Sequence, residues 1–238
     1  MNNIAVKRFV VQDFQSSEAI KTLRTNIIFS GTSIKAVALT SFSASEGKSS
    51  LCFQLAASMA LAGKRVLLLD TDLRKSVLQS RLRVRERVDG LSHYLSGLAN
   101  VNELIRETDI PGLYIIFAGA LVPNSAELLG GESFDKLIPA LKEVFDYIIV
   151  AAAPLGQVVD CAVMAPKLDG VVVVVDTTHN SYKLERRILD QLKRSGGKVL
   201  GVVLNRVDFT DRHSYYGKAY GYGDYSGYGE TEKADQEK

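Results

Sequence analysis

Ser45-Glu46-Gly47-Lys48-Ser49-Ser50 has the residue types that can hold a phosphate chain. A glycine lets backbone N–H groups close on phosphate oxygens, and the N-terminus of a following helix adds positive potential. In that pattern Lys48 reaches the β- and γ-phosphates, and the Ser49 hydroxyl can ligand Mg²⁺. ATP or ADP with Mg²⁺ is therefore the expected cofactor. The match to G-x-x-x-x-G-K-[ST] is incomplete, because Phe42 stands at the first glycine position. Farther along, Leu67-Leu-Leu-Asp70-Thr-Asp72-Leu-Arg74 sets two carboxylates and an arginine at the end of an apolar run. Asp70 and Asp72 flank one residue, so both can approach a nucleotide-bound cation or a hydroxyl nucleophile. A helix cap with a surface salt bridge uses the same residue types. The phosphate loop nearby favours the chemical reading.

These residues need a scaffold that brings them together. The apolar run at 36–41 leads into the loop. Leu51, Leu55, Met59 and Ala62 then recur at a spacing close to four, which predicts a helix stopped by Gly63. Further continuous apolar runs occupy 65–70, 113–117, 147–151, 171–175 and 199–204, with helical segments such as 133–144 and 181–194 between them. Continuous apolar strands interleaved with helices predict an α/β fold, a doubly wound and mostly parallel sheet with helices on both faces. Ligands of such sheets sit at the carboxyl ends of the strands. That rule gathers 40–48, 70–74, 151–156 and Asn205-Arg206 into one candidate site.

The bulk properties narrow the function. The chain has 238 residues, 46% hydrophobic and 24% charged, enough for one sizeable domain. A net charge of +2 sets up no field that demands nucleic acid or an anionic membrane. No apolar run approaches the roughly 20 residues of a membrane helix, so no direct membrane insertion is expected. The first residues lack the apolar core of a signal peptide. Cys52 and Cys161 are too few for a disulfide framework, which fits a reducing cytoplasm, and Cys52 reads as a core residue. His93, His179 and His213 show no ligand spacing. Arg81, Arg83, Arg85 and Arg87 alternate, but Glu86 and Asp89 interrupt them and no aromatics interleave. They read as a solvated face and not as a nucleic-acid surface.

The last part differs in kind. Residues 213–229 hold six of the ten tyrosines and five glycines. Glycine this dense opposes a stable helix, so a domain of 1–209 and a flexible tail of 210–238 are expected.

Together these motifs resemble the bacterial tyrosine kinases that control capsule and exopolysaccharide export, which are similar in fold to partitioning ATPases. The phosphate loop and the apolar-Asp-x-Asp-x-Arg segment carry the likeness. Glu18, Lys21 and Arg24 resemble the family's oligomerisation motif Glu-x-x-Arg-x-x-Arg, with Lys21 in the middle place. Pro123-Asn-Ser-Ala-Glu127-Leu-Leu129 resembles its Pro-Asn-Pro-x-Glu-Leu-Leu segment, and the tyrosine cluster resembles its phosphorylation tail. The resemblance implies an ATP-dependent tyrosine autokinase. Ser45 to Ser50 would bind phosphates, Ser49 and Asp72 would hold Mg²⁺, and Asp70 would act as base. Arg74 would contact phosphate or another subunit, and Asn205 and Arg206 would lie near the adenine. Tyr215, Tyr216, Tyr220, Tyr222, Tyr225 and Tyr228 would be the acceptors. A ring-like homo-oligomer and a transmembrane activator subunit are implied as partners, which places the chain at the cytoplasmic side of the membrane.

Two departures stand out. Ala44 and Ser45 replace the proline and first glycine of the family's loop, and serine is costly where the backbone needs φ > 0. Ala151 stands where the family places an aspartate that helps hold Mg²⁺. Asp146 cannot replace it, since five strand residues at about 3.3 Å put it roughly 16 Å away. Asp160 is the next acidic residue along the chain. A nucleotide-dependent scaffold without phosphoryl transfer is therefore the second reading. A partition or division ATPase is the third, weakened because Ser43 replaces that group's signature lysine.

Overall fold

The computed structural model describes residues 4–11, 13–86, 88–178 and 182–207. The six tail tyrosines, the boundary near Phe209, and Arg87, His179 and His213 lie outside the described residues. Among the described residues seven strands form one sheet: β1 Ala36–Ser41, β2 Val66–Asp70, β3 Arg106–Glu107, β4 Leu113–Ile116, β5 Tyr147–Ala151, β6 Gly170–Asp176 and β7 Val199–Asn205. Their order is β3-β4-β2-β5-β1-β6-β7. All neighbours are parallel except the short edge strand β3, which runs antiparallel to β4. The expected doubly wound α/β architecture is present, and β3 is the addition that periodicity did not signal.

Nine helices lie among the described residues: α1 Phe14–Phe29, α2 Lys48–Leu61, α3 Leu78–Arg81, α4 Leu91–Leu95, α5 Val101–Leu104, α6 Ser125–Gly130, α7 Glu132–Val144, α8 Asp160–Met164 and α9 Tyr182–Arg194. None is long and apolar enough to cross a membrane. Strands alternate their side chains between two cores. Ala36, Ala38, Ile148 and Val150 face the layer that holds Phe134, Leu137 and Leu141 of α7. Val37, Leu39, Ile149 and Ala151 face Cys52, Leu55 and Met59 of α2. Both faces are therefore apolar, which is why the strands read as continuous runs. α2 stops where expected, with Gly63 at φ 82 just beyond it.

The N-terminal part is strapped across α2. Val6 N and Lys7 N donate to Asp109 Oδ1 at 2.6 and 2.8 Å. Gln54 of α2 donates to Phe9 O at 2.7 Å and accepts from Val11 N at 3.0 Å. Asp13 caps α1 by accepting from Ser16 N at 2.8 Å.

Candidate nucleotide site

The loop between β1 and α2 is wound by its own side chains. Ser41 Oγ donates to Ser43 O at 2.8 Å, and Ser43 N donates to Glu46 Oε1 at 2.7 Å. Ser45 adopts φ 68 and Gly47 φ 87. Ser45, which stands at the glycine position of the family's loop, does take positive φ, at roughly 1–2 kcal/mol for a residue with a Cβ.

Residues far along the chain hold that shape. Asn205 Nδ2 donates to Glu46 O at 2.8 Å, and Arg206 Nη2 donates to Ser45 O at 2.9 Å. Arg206 Nη1 also pairs with Asp176 Oδ2 at 2.5 Å, at the end of β6. Bonds from Thr178 and the nearby Arg206 charge keep the Asp176 carboxyl below its ordinary range. Asn205 and Arg206 therefore grip the phosphate loop itself. Asp176, which anchors this grip, was missed by sequence reasoning, although an acid closing a five-valine strand was a visible signal.

A Cβ at Gly47 would lie 2.1 Å from Asn205 Nδ2, whereas one at Gly63 would meet nothing within 4 Å. Both glycines have positive φ. Gly63→Ala should cost about 1–2 kcal/mol in denaturant unfolding, the backbone strain alone. Gly47→Ala should cost more and also weaken nucleotide binding, because Asn205 must leave Glu46. Equal losses for the two variants in both measurements would refute the grip.

Lys48 opens α2 and is only 8% exposed. Among the described residues it enters no ion pair. Its charge acts on the nearby Asp70 carboxyl without a direct ion pair, and a buried cation with no direct partner is costly unless a ligand supplies one. The Ser49 and Ser50 hydroxyls follow it in the first helical turn.

Asp70 closes β2 and is 2% exposed. Burial pushes its carboxyl up to about 7, although Ser76 Oγ donates to it and Asp72 N donates at 3.2 Å. It faces the α2 layer, like Leu68 two residues before it. Asp72 is half-buried and accepts from Lys75 N at 2.9 Å. Ala151 pairs in register with Asp70 on the neighbouring strand and shares its face. Asp146 lies at the far end of the strand, where it accepts from Arg65 N at 2.8 Å. It is as distant from the loop as strand length requires.

Arg74 turns away from the loop. Its Nε donates to Asp160 Oδ2 at 3.0 Å, and its Nη1 donates to Pro123 O at 2.9 Å. Ser125 Oγ also donates to Asp160 Oδ2, at 2.5 Å. Asp160 is fully buried and occupied by these donors, so it does not stand in for a carboxylate at 151. Glu18 and Lys21 pair with each other at 2.7 Å on α1, while Arg24 Nη1 donates to Ser58 O of α2 at 2.9 Å. Cys52 and Cys161 are core thiols, pushed up to about 12 by burial.

Among the described residues no group of three or more His, Cys, Asp or Glu side chains could hold a metal alone. Ser49 and Asp72 are the oxygen-bearing side chains that would serve as its protein ligands. That fits Mg²⁺, which usually takes one or two protein ligands plus substrate phosphates and water.

A family model described as the CobQ/CobB/MinD/ParA nucleotide binding domain matches residues 37–216. The chain is similar to the tyrosine-protein kinase CpsD of Streptococcus agalactiae, 37% identical over 219 residues that cover 92% of each chain. It is also similar to the putative tyrosine-protein kinase CapB of Staphylococcus aureus, 32% identical over 210 residues, 87% of this chain and 90% of that one. Among solved structures it resembles the kinase domain of the Escherichia coli tyrosine kinase ETK, with TM-score 0.75 and 27% identity over 84% of this chain and 80% of that one.

Proposed function

The chain belongs to the bacterial tyrosine kinases within the CobQ/CobB/MinD/ParA nucleotide-binding family, and from that premise we propose that it is an ATP-dependent tyrosine autokinase. The observation that carries this reading is the buried Lys48 at the N-terminus of α2, without an ion pair among the described residues and behind a loop clasped in a phosphate-cradling shape. Lys48 and the loop amides bind the β- and γ-phosphates. Ser49 and Asp72 are the residues that would hold Mg²⁺, which neutralises charge on the phosphate oxygens when bound.

The tyrosine hydroxyl oxygen attacks the γ-phosphorus, and the bond to the β–γ bridging oxygen breaks. Asp70 takes the hydroxyl proton and ADP leaves. The acceptors are the tail tyrosines Tyr215, Tyr216, Tyr220, Tyr222, Tyr225 and Tyr228. Acting as a homo-oligomer at the cytoplasmic side of the membrane, recruited by a transmembrane activator subunit, the protein would regulate capsular or exopolysaccharide synthesis. Ala151 favours a second reading, a nucleotide-binding scaffold that is itself phosphorylated by another subunit.

Lys48→Met should weaken ATP binding by at least the roughly 1.5–3 kcal/mol of a charged hydrogen bond, read by calorimetry. Equal affinity in both proteins would sink the phosphate role. Incubation with ATP and Mg²⁺, followed by phosphotyrosine detection, separates the autokinase from the scaffold.

A further inference from the structure

At β7 the sheet presents an apolar edge. Among the described residues β7 pairs only with β6 and ends the strand order, so its outer N–H and C=O groups lack a neighbouring strand. An edge of this kind is a template for one more strand. Val202 and Leu204 stand opposite Val173 and Val175 in the β6–β7 register, so all four point to the face that α9 covers. The cover stops between the two strands. Val173 and Val175 are 1% and 5% exposed, packed with Ile188 and Leu192 of α9, whereas Val202 and Leu204 are 47% and 36% exposed. A cavity of about 340 Å³ follows this step, floored by valines of both strands and walled by Leu189 of α9. Its rim carries Arg186 and Lys193 against Asp190. Among the described residues none of these three enters an ion pair.

We propose that this edge is the docking site of the chain's own segment 218–224, added to β7 as an antiparallel strand with Tyr220 over Leu204 and Tyr222 over Val202. Three observations select that occupant. The segment follows β7 in the chain, so 206–219 has only to reverse direction along the same edge. Residues 219–223 read Ala-Tyr-Gly-Tyr-Gly, the one place in 208–238 where two tyrosines stand two residues apart. An extended strand sets both rings on one face at the spacing of Val202 and Leu204. Finally, 208–238 carries seven acidic and four basic side chains, opposite in balance to the rim.

The two rings take from water the apolar surface that the edge leaves exposed. Gly221 and Gly223 make the strand costly to order, which keeps the docking reversible. A docked ring is withheld from phosphoryl transfer. That consequence rests on the autokinase reading, whereas the docking itself does not.

Amide hydrogen exchange of the full chain, read by mass spectrometry and corrected for intrinsic rates, tests the docking. In the parent protein 218–224 should be protected at least about tenfold more than 230–238. Val202→Asp charges a position that is already half-exposed. It should bring 218–224 to the level of 230–238 and leave protection in β1 and β2 unchanged. Tyr220→Ser combined with Tyr222→Ser should deprotect β7 likewise, and Tyr225→Ser combined with Tyr228→Ser should not. Equal protection of 218–224 and 230–238 in the parent, or no change in either the Val202 variant or the Tyr220 and Tyr222 double variant, overturns the proposal. Protection that grows with protein concentration also overturns it, because a second copy then covers the edge. With ATP and Mg²⁺, the Val202 variant should phosphorylate Tyr220 and Tyr222 at least about threefold faster than the parent. Equal and measurable rates overturn the withholding. Absence of transfer in both proteins defeats the kinase reading alone, since the exchange result stands without it.

Discussion

Ala151→Asp is expected to raise phosphotyrosine formation by about a hundredfold, the scale of one electrostatic contributor to a transition state. Ala151 is in register with Asp70 on the adjacent strand, and its methyl faces the α2 layer from which Lys48 and Ser49 project. An aspartate there would point to the same side as Asp70, beside the place assigned to the cation. It would give Mg²⁺ a third protein oxygen in addition to Ser49 and Asp72. Thr71 N and Thr71 Oγ1 bond to the Ala151 carbonyl at 3.0 and 3.1 Å, so the backbone at this position is already held. The measurement is a time course of tail phosphorylation for both proteins at saturating ATP and Mg²⁺. If the two rates agree, residue 151 does not limit turnover, and the missing carboxylate is irrelevant to this chain.

Asp70→Asn is expected to abolish most transfer, by about 10²–10⁴-fold, the usual contribution of a positioned base. The same change should stabilise the fold at alkaline pH. Burial holds the Asp70 carboxyl near 7 in the native state, against about 3.9 in an unfolded chain. A raised carboxyl means that the folded protein binds the proton more tightly than the unfolded one. The parent protein therefore keeps the associated stability below about pH 4 and loses it as pH rises through about 7. The full difference is at most on the order of 4 kcal/mol. Asparagine carries no charge and can still accept from Ser76, so the variant should exceed the parent in denaturant unfolding at pH 8 and match it near pH 4. In the parent, transfer should fall as pH drops below about 7, because a protonated Asp70 accepts nothing. A variant with undiminished rate, or a stability gap independent of pH, would contradict the assignment.

Local sequence determined a large share of this molecule. Apart from the edge strand β7, where Val202 and Leu204 are exposed, the valine- and leucine-rich runs are buried on both faces, so they read as parallel strands without knowledge of their partners. Gly63 ends α2 because, lacking a Cβ, it adopts φ 82 without strain. The phosphate loop and the Asp70–Asp72 pair were legible because their chemistry is carried by residues adjacent in sequence.

Strand order and register, by contrast, bring together residues whose separation no periodicity encodes. Arg206 reaches the Ser45 carbonyl 161 positions away, and Asn205 reaches Glu46 at 159, because β7 ends at the same edge as β1. Arg74 finds Asp160 at a separation of 86, which turns its guanidinium away from the phosphates. A cavity beside Ser49 joins Phe9 to Leu78 and Arg81, residues some seventy positions apart. The physical reason is common to these cases. Hydrogen bonds and apolar contacts act over a few ångströms, and only the packed sheet decides which distant residues lie within that range.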